Sequence, residues 1–154
     1  MSLTNMRTDD ELEAQFQPEE LEVTHGAIFS ELAILGLGHK PLQYTGSENL
    51  EFDVQLRFYK PASHDIVRTH RFIHSLTRPQ RGDTVAGGGA PEVLFYWPTL
   101  YTVVSKVRGF KEKTTQFARS GAPLLMIYEL KIHSISDVQV LSEDVRRTGF
   151  RGLT

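Results

Sequence analysis

The sequence predicts an α+β domain, an antiparallel β-sandwich or partly closed barrel with one packed helix. Three observations carry that expectation. Leu50, Phe52, Val54, Leu56 and Phe58 alternate without a break against Glu51, Asp53, Gln55 and Arg57. Successive side chains of a strand point to opposite faces, so this run is a long strand with one buried and one wet face. A helical pattern follows it, and several more apolar strand-like runs follow the helix, an order that fits an antiparallel α+β domain.

The elements follow from the N-terminus. Residues 1–20 read as an acidic arm with a loose helical turn around DDELEAQF, and Leu21–Thr24 as a short strand. The apolar run 27–38 ends in Gly36 and Gly38 and fits either a strand pair or a short helix. Turn formers crowd 41–49 and deliver the chain into the strand at Leu50, which Pro61 ends. Ser63 or Asp65 can cap a helix through Leu76, with Ile66, Val67, His70, Ile73 and Leu76 on one face. Pro79 stops it, and 80–91 is a connection. EVLFYWP (92–98) is a short strand. Residues 100–117 read as a two-strand hairpin centred near Gly109–Lys113. Gly121-Ala122-Pro123 turns the chain into a last strand, in which Leu124, Met126, Tyr128, Leu130 and Ile132 alternate. The expected organisation is an arm over 1–20, a β domain over 21–140 and a tail over 141–154.

Composition bounds the function. At 154 residues, with 40% hydrophobic and 23% charged residues, the chain is an ordinary single globular domain. No apolar run approaches the roughly 18 residues that span a bilayer, so no membrane partner is expected. The acidic N-terminus lacks the order of a secretory signal. Zero cysteines exclude disulfide and thiolate chemistry and fit assembly in a reducing compartment. The net charge of −2 hides an asymmetry: residues 1–24 hold seven acids against Arg7, which leaves a formal +4 on the remainder. An acidic segment on a basic body suggests electrostatic docking, for instance onto a neighbouring subunit.

No catalytic centre, cofactor site or metal site is expected, and the chain does not read as an enzyme. His70 and His74 stand four apart on one helix face with His64 nearby, but no neighbouring carboxylate completes a ligand set. Gly87-Gly88-Gly89 lacks the Lys-Ser/Thr that makes a phosphate loop. Arg81-Gly82-Asp83 has no extracellular setting, and Glu143-Asp144 is poor geometry for paired carboxylates. Lys106, Arg108, Lys111, Lys113 and Arg119, interleaved with Tyr101, Phe110 and Phe117, are the composition that holds single-stranded nucleic acid on a sheet. A single-stranded nucleic-acid-binding β-barrel is therefore the alternative function, although the chain is slightly acidic and lacks an RNP signature.

In order, PLQYTGSENLEFDVQLRFYK, the helix ending at Pro79, APEVLFYWP, the 101–123 segment and LLMIYELKIHSI resemble the tube-type domain of contractile injection systems and phage tails. The positions that carry the resemblance are Gly46, Leu50, Phe52 and Leu56; Pro79; Pro91, Val93, Phe95 and Trp97; and Gly121 with Pro123. It spans roughly 40–135 and is nearest to baseplate tube-initiator or hub-tube adaptor proteins. Many of these continue into a LysM module, which this sequence does not reach, so peptidoglycan binding is not implied. The resemblance implies a non-enzymatic structural protein without cofactors, assembled in a host cytoplasm into a virion tail or injection particle. Its partners would be itself, as a homo-oligomeric, sixfold ring by analogy with relatives, the baseplate hub and the tail tube, with nucleic acid at most passing through the lumen. Glu51, Asp53, Arg57, Lys106, Arg108, Lys111 and Lys113 are the candidate subunit-interface residues.

Overall fold

A computed structural model describes residues 1–60, 65–79 and 89–135. Nine strands and one helix follow in chain order. They are β1 (Ser2–Asn5), β2 (Glu11–Glu13), β3 (Leu21–Thr24), β4 (Ala27–Glu31), β5 (Leu42–Ser47), β6 (Glu51–Tyr59), α1 (Ile66–Ser75), β7 (Val93–Trp97), β8 (Tyr101–Phe117) and β9 (Pro123–Ser134). Seven strands form one antiparallel sheet in the order β2-β1-β7-β8-β9-β6-β3, and β4 and β5 pair only with each other. The α+β expectation holds, with a single curled sheet under one helix.

The alternation in β6 does what its period requires. Phe52, Val54, Leu56 and Phe58 are buried, and across the ladder they meet Ile132, Leu130, Tyr128 and Met126 of β9. Val103 and Val107 of β8, Val93 and Phe95 of β7 and Leu3 of β1 extend the same inner face. Phe52 sits at its centre, its ring 4.8 Å from that of Phe95 and 5.0 Å from that of Tyr101. Burying the four apolar side chains of β6 contributes on the order of 8 kcal/mol gross, before chain entropy is subtracted.

Helix α1 covers this core. The Asp65 carboxylate accepts the Arg68 N–H at 3.1 Å, satisfying one of the free donors of the first turn. Ile66, Thr69, Ile73 and Leu76 are buried, a three-and-four spacing. Val67, expected on that face, is exposed, and Thr69 takes its place.

Two further expectations are corrected. Residues 1–20 do not form a loose helical turn on an arm: β1 lies inside the sheet between β2 and β7, with Leu3 fully buried. The acids of this segment distract from Leu3 and Leu12, which alternate inward. Nor does the chain turn near Gly109–Lys113. Residues 101–117 are one strand, and the register against β9 slips by one residue between Val107 and Gly109. An interrupted alternation resembles a turn in sequence, but an extra residue is equally well absorbed as a β-bulge. The true reversal is at 118–122, where Gly121 has φ +80° and donates its N–H to Ala118 O at 2.9 Å. The Ser63 cap, His64, the Arg81–Asp83 tripeptide, Gly87-Gly88 and the 141–154 tail lie outside the described residues.

The sheet is not a closed barrel, since β2 and β3 end it on opposite sides. The Gln15 side chain bridges part of the gap as a strand peptide would. Its Nε2 donates to Tyr59 O at 2.9 Å and its Oε1 accepts the Tyr59 N–H at 2.6 Å, which satisfies the end of β6.

Two stability predictions follow from this packing. Phe52→Ala should cost about 3–5 kcal/mol in urea unfolding, because it opens a cavity among aromatic rings. Thr99 has φ +66° at the third position of the turn Trp97–Leu100, behind Pro98, where Leu100 N–H reaches Trp97 O at 3.3 Å. A type II turn asks for glycine there, and a β-branched residue is strained. Thr99→Gly should raise stability by roughly 0.5–1 kcal/mol, net of glycine's added freedom in the unfolded chain.

Candidate functional site

The outer face of the sheet is built by the register of β6, β9 and β8. Its rungs pair Glu51 with His133 and Lys106, Asp53 with Lys131 and Gly109, and Gln55 with Glu129 and Lys111. The next rung pairs Arg57 with Ile127 and Lys113. Arg108, the extra residue of the bulge, reaches Glu51 Oε1 at 3.5 Å. All seven candidate interface residues therefore stand on one face, although a hairpin would put Lys106 and Arg108 in one arm, Lys111 in the turn and Lys113 in the other arm. The bulge brings this about. Lys106 is in phase with an even-numbered outer row, and the one-residue slip makes odd-numbered Lys111 and Lys113 continue that row.

Charge on this face runs in one direction. At the β3 margin stand Glu19, Glu20 and Glu22, with Glu51 and Asp53 beside them on β6; the basic row Lys106, Arg108, Lys111 and Lys113 lies on β8. An open groove of about 1120 Å³ lies between, floored by residues such as Gln55, Arg57, Glu129 and Lys131 and walled by 16–20. Ion pairs on this face include the exposed Lys111–Glu129 at 3.9 Å and the Glu51 contacts with Arg108 and His133. Such pairs contribute little stability.

Beside this face projects the β4–β5 arm, an extension of the β3–β6 edge. The apolar run 27–38, open in sequence between a strand pair and a helix, supplies strand β4 and the arm's tip, where Gly36 turns with φ +91°. Every residue of β4 and the first four of β5 are exposed. Phe29 (53% exposed) stacks edge-on with its cross-strand neighbour Tyr44 (58%), and Leu42 (66%) continues that side. Ile34, Leu35 and Leu37 are exposed at the tip. An isolated two-stranded hairpin is marginal in water, and a cluster of apolar side chains this size marks a binding surface. Sequence reasoning missed this surface because an apolar run reads equally as core; only the absence of a third strand beside it among the described residues reveals its exposure.

On the inner side, β8 brings Glu112 beneath α1, where its Oε2 lies 2.9 Å from His74 Nε2 and 3.2 Å from His70 Nδ1. The third group that a His-His helix face needs was thus invisible in sequence, 38 residues from His74. Burial and Glu112 together push the Tyr128 hydroxyl well above the usual tyrosine range, so it stays protonated.

No family model matches the chain, and no curated protein matches it.

A pH prediction belongs to Glu51. The hydrogen bond from His133, with the positive fields of His133, Arg108 and Lys131, outweighs desolvation and holds its carboxyl below the ordinary 4.5. A folded value below the unfolded one gives stability that is fully present above 4.5 and lost as pH falls through the folded value. Thermal melts of wild type and Glu51→Gln should therefore differ slightly at neutral pH and converge on acidification below 4.5. A gap that persists unchanged to pH ~3 would contradict the assignment.

Proposed function

We propose that this chain is a structural component of a contractile phage tail or injection-system baseplate, a subunit whose ring joins the central hub to the tail tube. The observation that carries the reading is the apolar β4–β5 arm, a surface left without cover by its own chain among the described residues. The tail setting comes from the resemblance over 40–135.

The sheet margins support a ring over a two-fold dimer. A closed ring is heterologous: each subunit offers two different, complementary patches. Here the β3 margin is acidic and β8, on the far side of the same face, is basic. Among the described residues β7 pairs with β8 only over Tyr101–Ser105, so from Arg108 to Phe117 no described strand pairs with β8 on that side. Edge groups of this kind pair readily with another chain. Opposite charges steer successive copies head to tail and disfavour like margins meeting. The arm of each copy would then be covered by its neighbour, and the ring would stack on the hub and tube. The single-stranded nucleic-acid alternative uses the same basic row, but Glu51, Asp53 and Glu129 share that face and repel a phosphate backbone.

The test is assembly. Light scattering and negative stain of the purified chain, alone and mixed with its hub and tube neighbours, should find ring-sized particles. Phe29→Asp/Tyr44→Asp should leave the circular dichroism intact and abolish those particles, while Lys111→Glu/Lys113→Glu should weaken them by at least tenfold in concentration dependence. A chain that stays monomeric at every concentration and with every neighbour overturns the proposal. Salt-dependent binding of single-stranded oligonucleotides that Lys111→Glu/Lys113→Glu abolishes would replace it with the alternative.

A further inference from the structure

We propose that His70, His74 and Glu112 form a zinc-binding site that clamps helix α1 to strand β8. The inference is independent of the assembly reading. Two histidines one helical turn apart present their rings on the same side, with ring centroids 4.2 Å apart. Glu112, aimed inward because the bulge at Arg108 reverses the phase of β8, supplies the oxygen. The three donor atoms His70 Nδ1, His74 Nε2 and Glu112 Oε2 lie within 4.8 Å of one another.

The spacing suits a small tetrahedral ion. Bonds of 2.0–2.2 Å at tetrahedral angles put neighbouring ligand atoms about 3.3 Å apart. The two contacts to Glu112, at 3.2 and 2.9 Å, already have nearly that length. Only the separation between the two nitrogens has to shorten, and the side chains are free enough to allow it, with His70 43% and His74 31% exposed. Two imidazoles and one carboxylate favour zinc and its neighbours over magnesium or calcium, which prefer all-oxygen sets. A fourth position remains for water.

The surroundings resemble the outer shell of a metal site. Buried Tyr128 sets its hydroxyl 3.2 Å from His70 Nδ1 and holds that imidazole in place from below. The Phe110 ring packs edge-on against His74 at 4.8 Å and limits where that imidazole can swing. Without an ion, His74 Nε2 shares a hydrogen bond with Glu112 Oε2 at 2.9 Å, and His70 Nδ1 shares one with the Tyr128 hydroxyl at 3.2 Å. With an ion, the ligating nitrogens present lone pairs, His70 as its Nε2–H tautomer released from the Tyr128 hydroxyl, and the carboxylate binds the cation in place of the His74 contact. One cation thereby ties a helix to a sheet strand that it otherwise meets through side chains alone.

The test uses the full chain and the metals themselves. Zinc titrated calorimetrically should bind at one equivalent, and cobalt(II) should give the intense visible absorption of low coordination number. Zinc at a hundredfold excess over its Kd should raise the melting temperature by about 5 °C or more. His70→Ala, His74→Ala and Glu112→Gln should each weaken zinc binding at least tenfold, whereas His133→Gln, on the opposite face, should leave it unchanged. If an alanine variant fails to fold, His70→Gln/His74→Gln keeps the side-chain bulk and should fold without binding. No binding at one equivalent, an affinity that survives His74→Ala, or one that disappears with His133→Gln overturns the site.

Discussion

One extra residue in β8 decides how this domain presents its chemistry. Ahead of Arg108, odd-numbered residues of the strand face the core, as Val103 and Val107 do; beyond it the even-numbered ones do, as Phe110 and Glu112 do. Without the slip, Lys111 and Lys113 would point under the helix, where a lone ammonium is costly, and Glu112 would point to solvent. With it, four cations share the outer face and one carboxylate meets two histidines inside. The outer charge row and the His-His-Glu cluster are therefore consequences of a single backbone event.

The inner face tolerates that event because its anchor lies elsewhere. β6 and β9 pair without a register break from Glu51↔His133 to Tyr59↔Leu125, and their buried side chains form an uninterrupted apolar wall. The strands added on the far side, β7 and β1, are short, and the chain's first residues complete them. Residues 1–13 are thus part of the core despite their acids: Leu3 and Leu12 face inward while the charged side chains between them reach water. At the opposite edge the Gln15 amide substitutes for a strand peptide, a local repair that leaves β3 as a true margin.

The arm and the margins are where the domain is unfinished. Among the described residues no third strand covers the apolar side chains of the β4–β5 hairpin, which gain little burial from the sheet they extend. That surface and the opposite charges across the sheet are the features on which the proposed contact between subunits rests. The His70–His74–Glu112 cluster, the proposed zinc site, joins a helix to the strand beneath it. The two features lie on opposite faces and can be disturbed separately.

Sequence by itself determined the elements whose signal is local. The period-two alternation of β6 and β9 told which side chains are buried, Ser63 or Asp65 and Pro79 bracketed the helix, and the α+β class followed from their order. The seven interface candidates were legible as charged alternates and basic clusters. Tertiary structure alone decided what depends on pairing. Whether 101–117 turns or bulges depends on β9 lying alongside it, and whether 27–38 is core or surface depends on whether a third strand covers it. Whether His70 and His74 have a third partner depends on Glu112 arriving from a different strand. Periodicity reports the environment of a residue along its own segment; register and contacts between distant segments are set by the sheet as a whole.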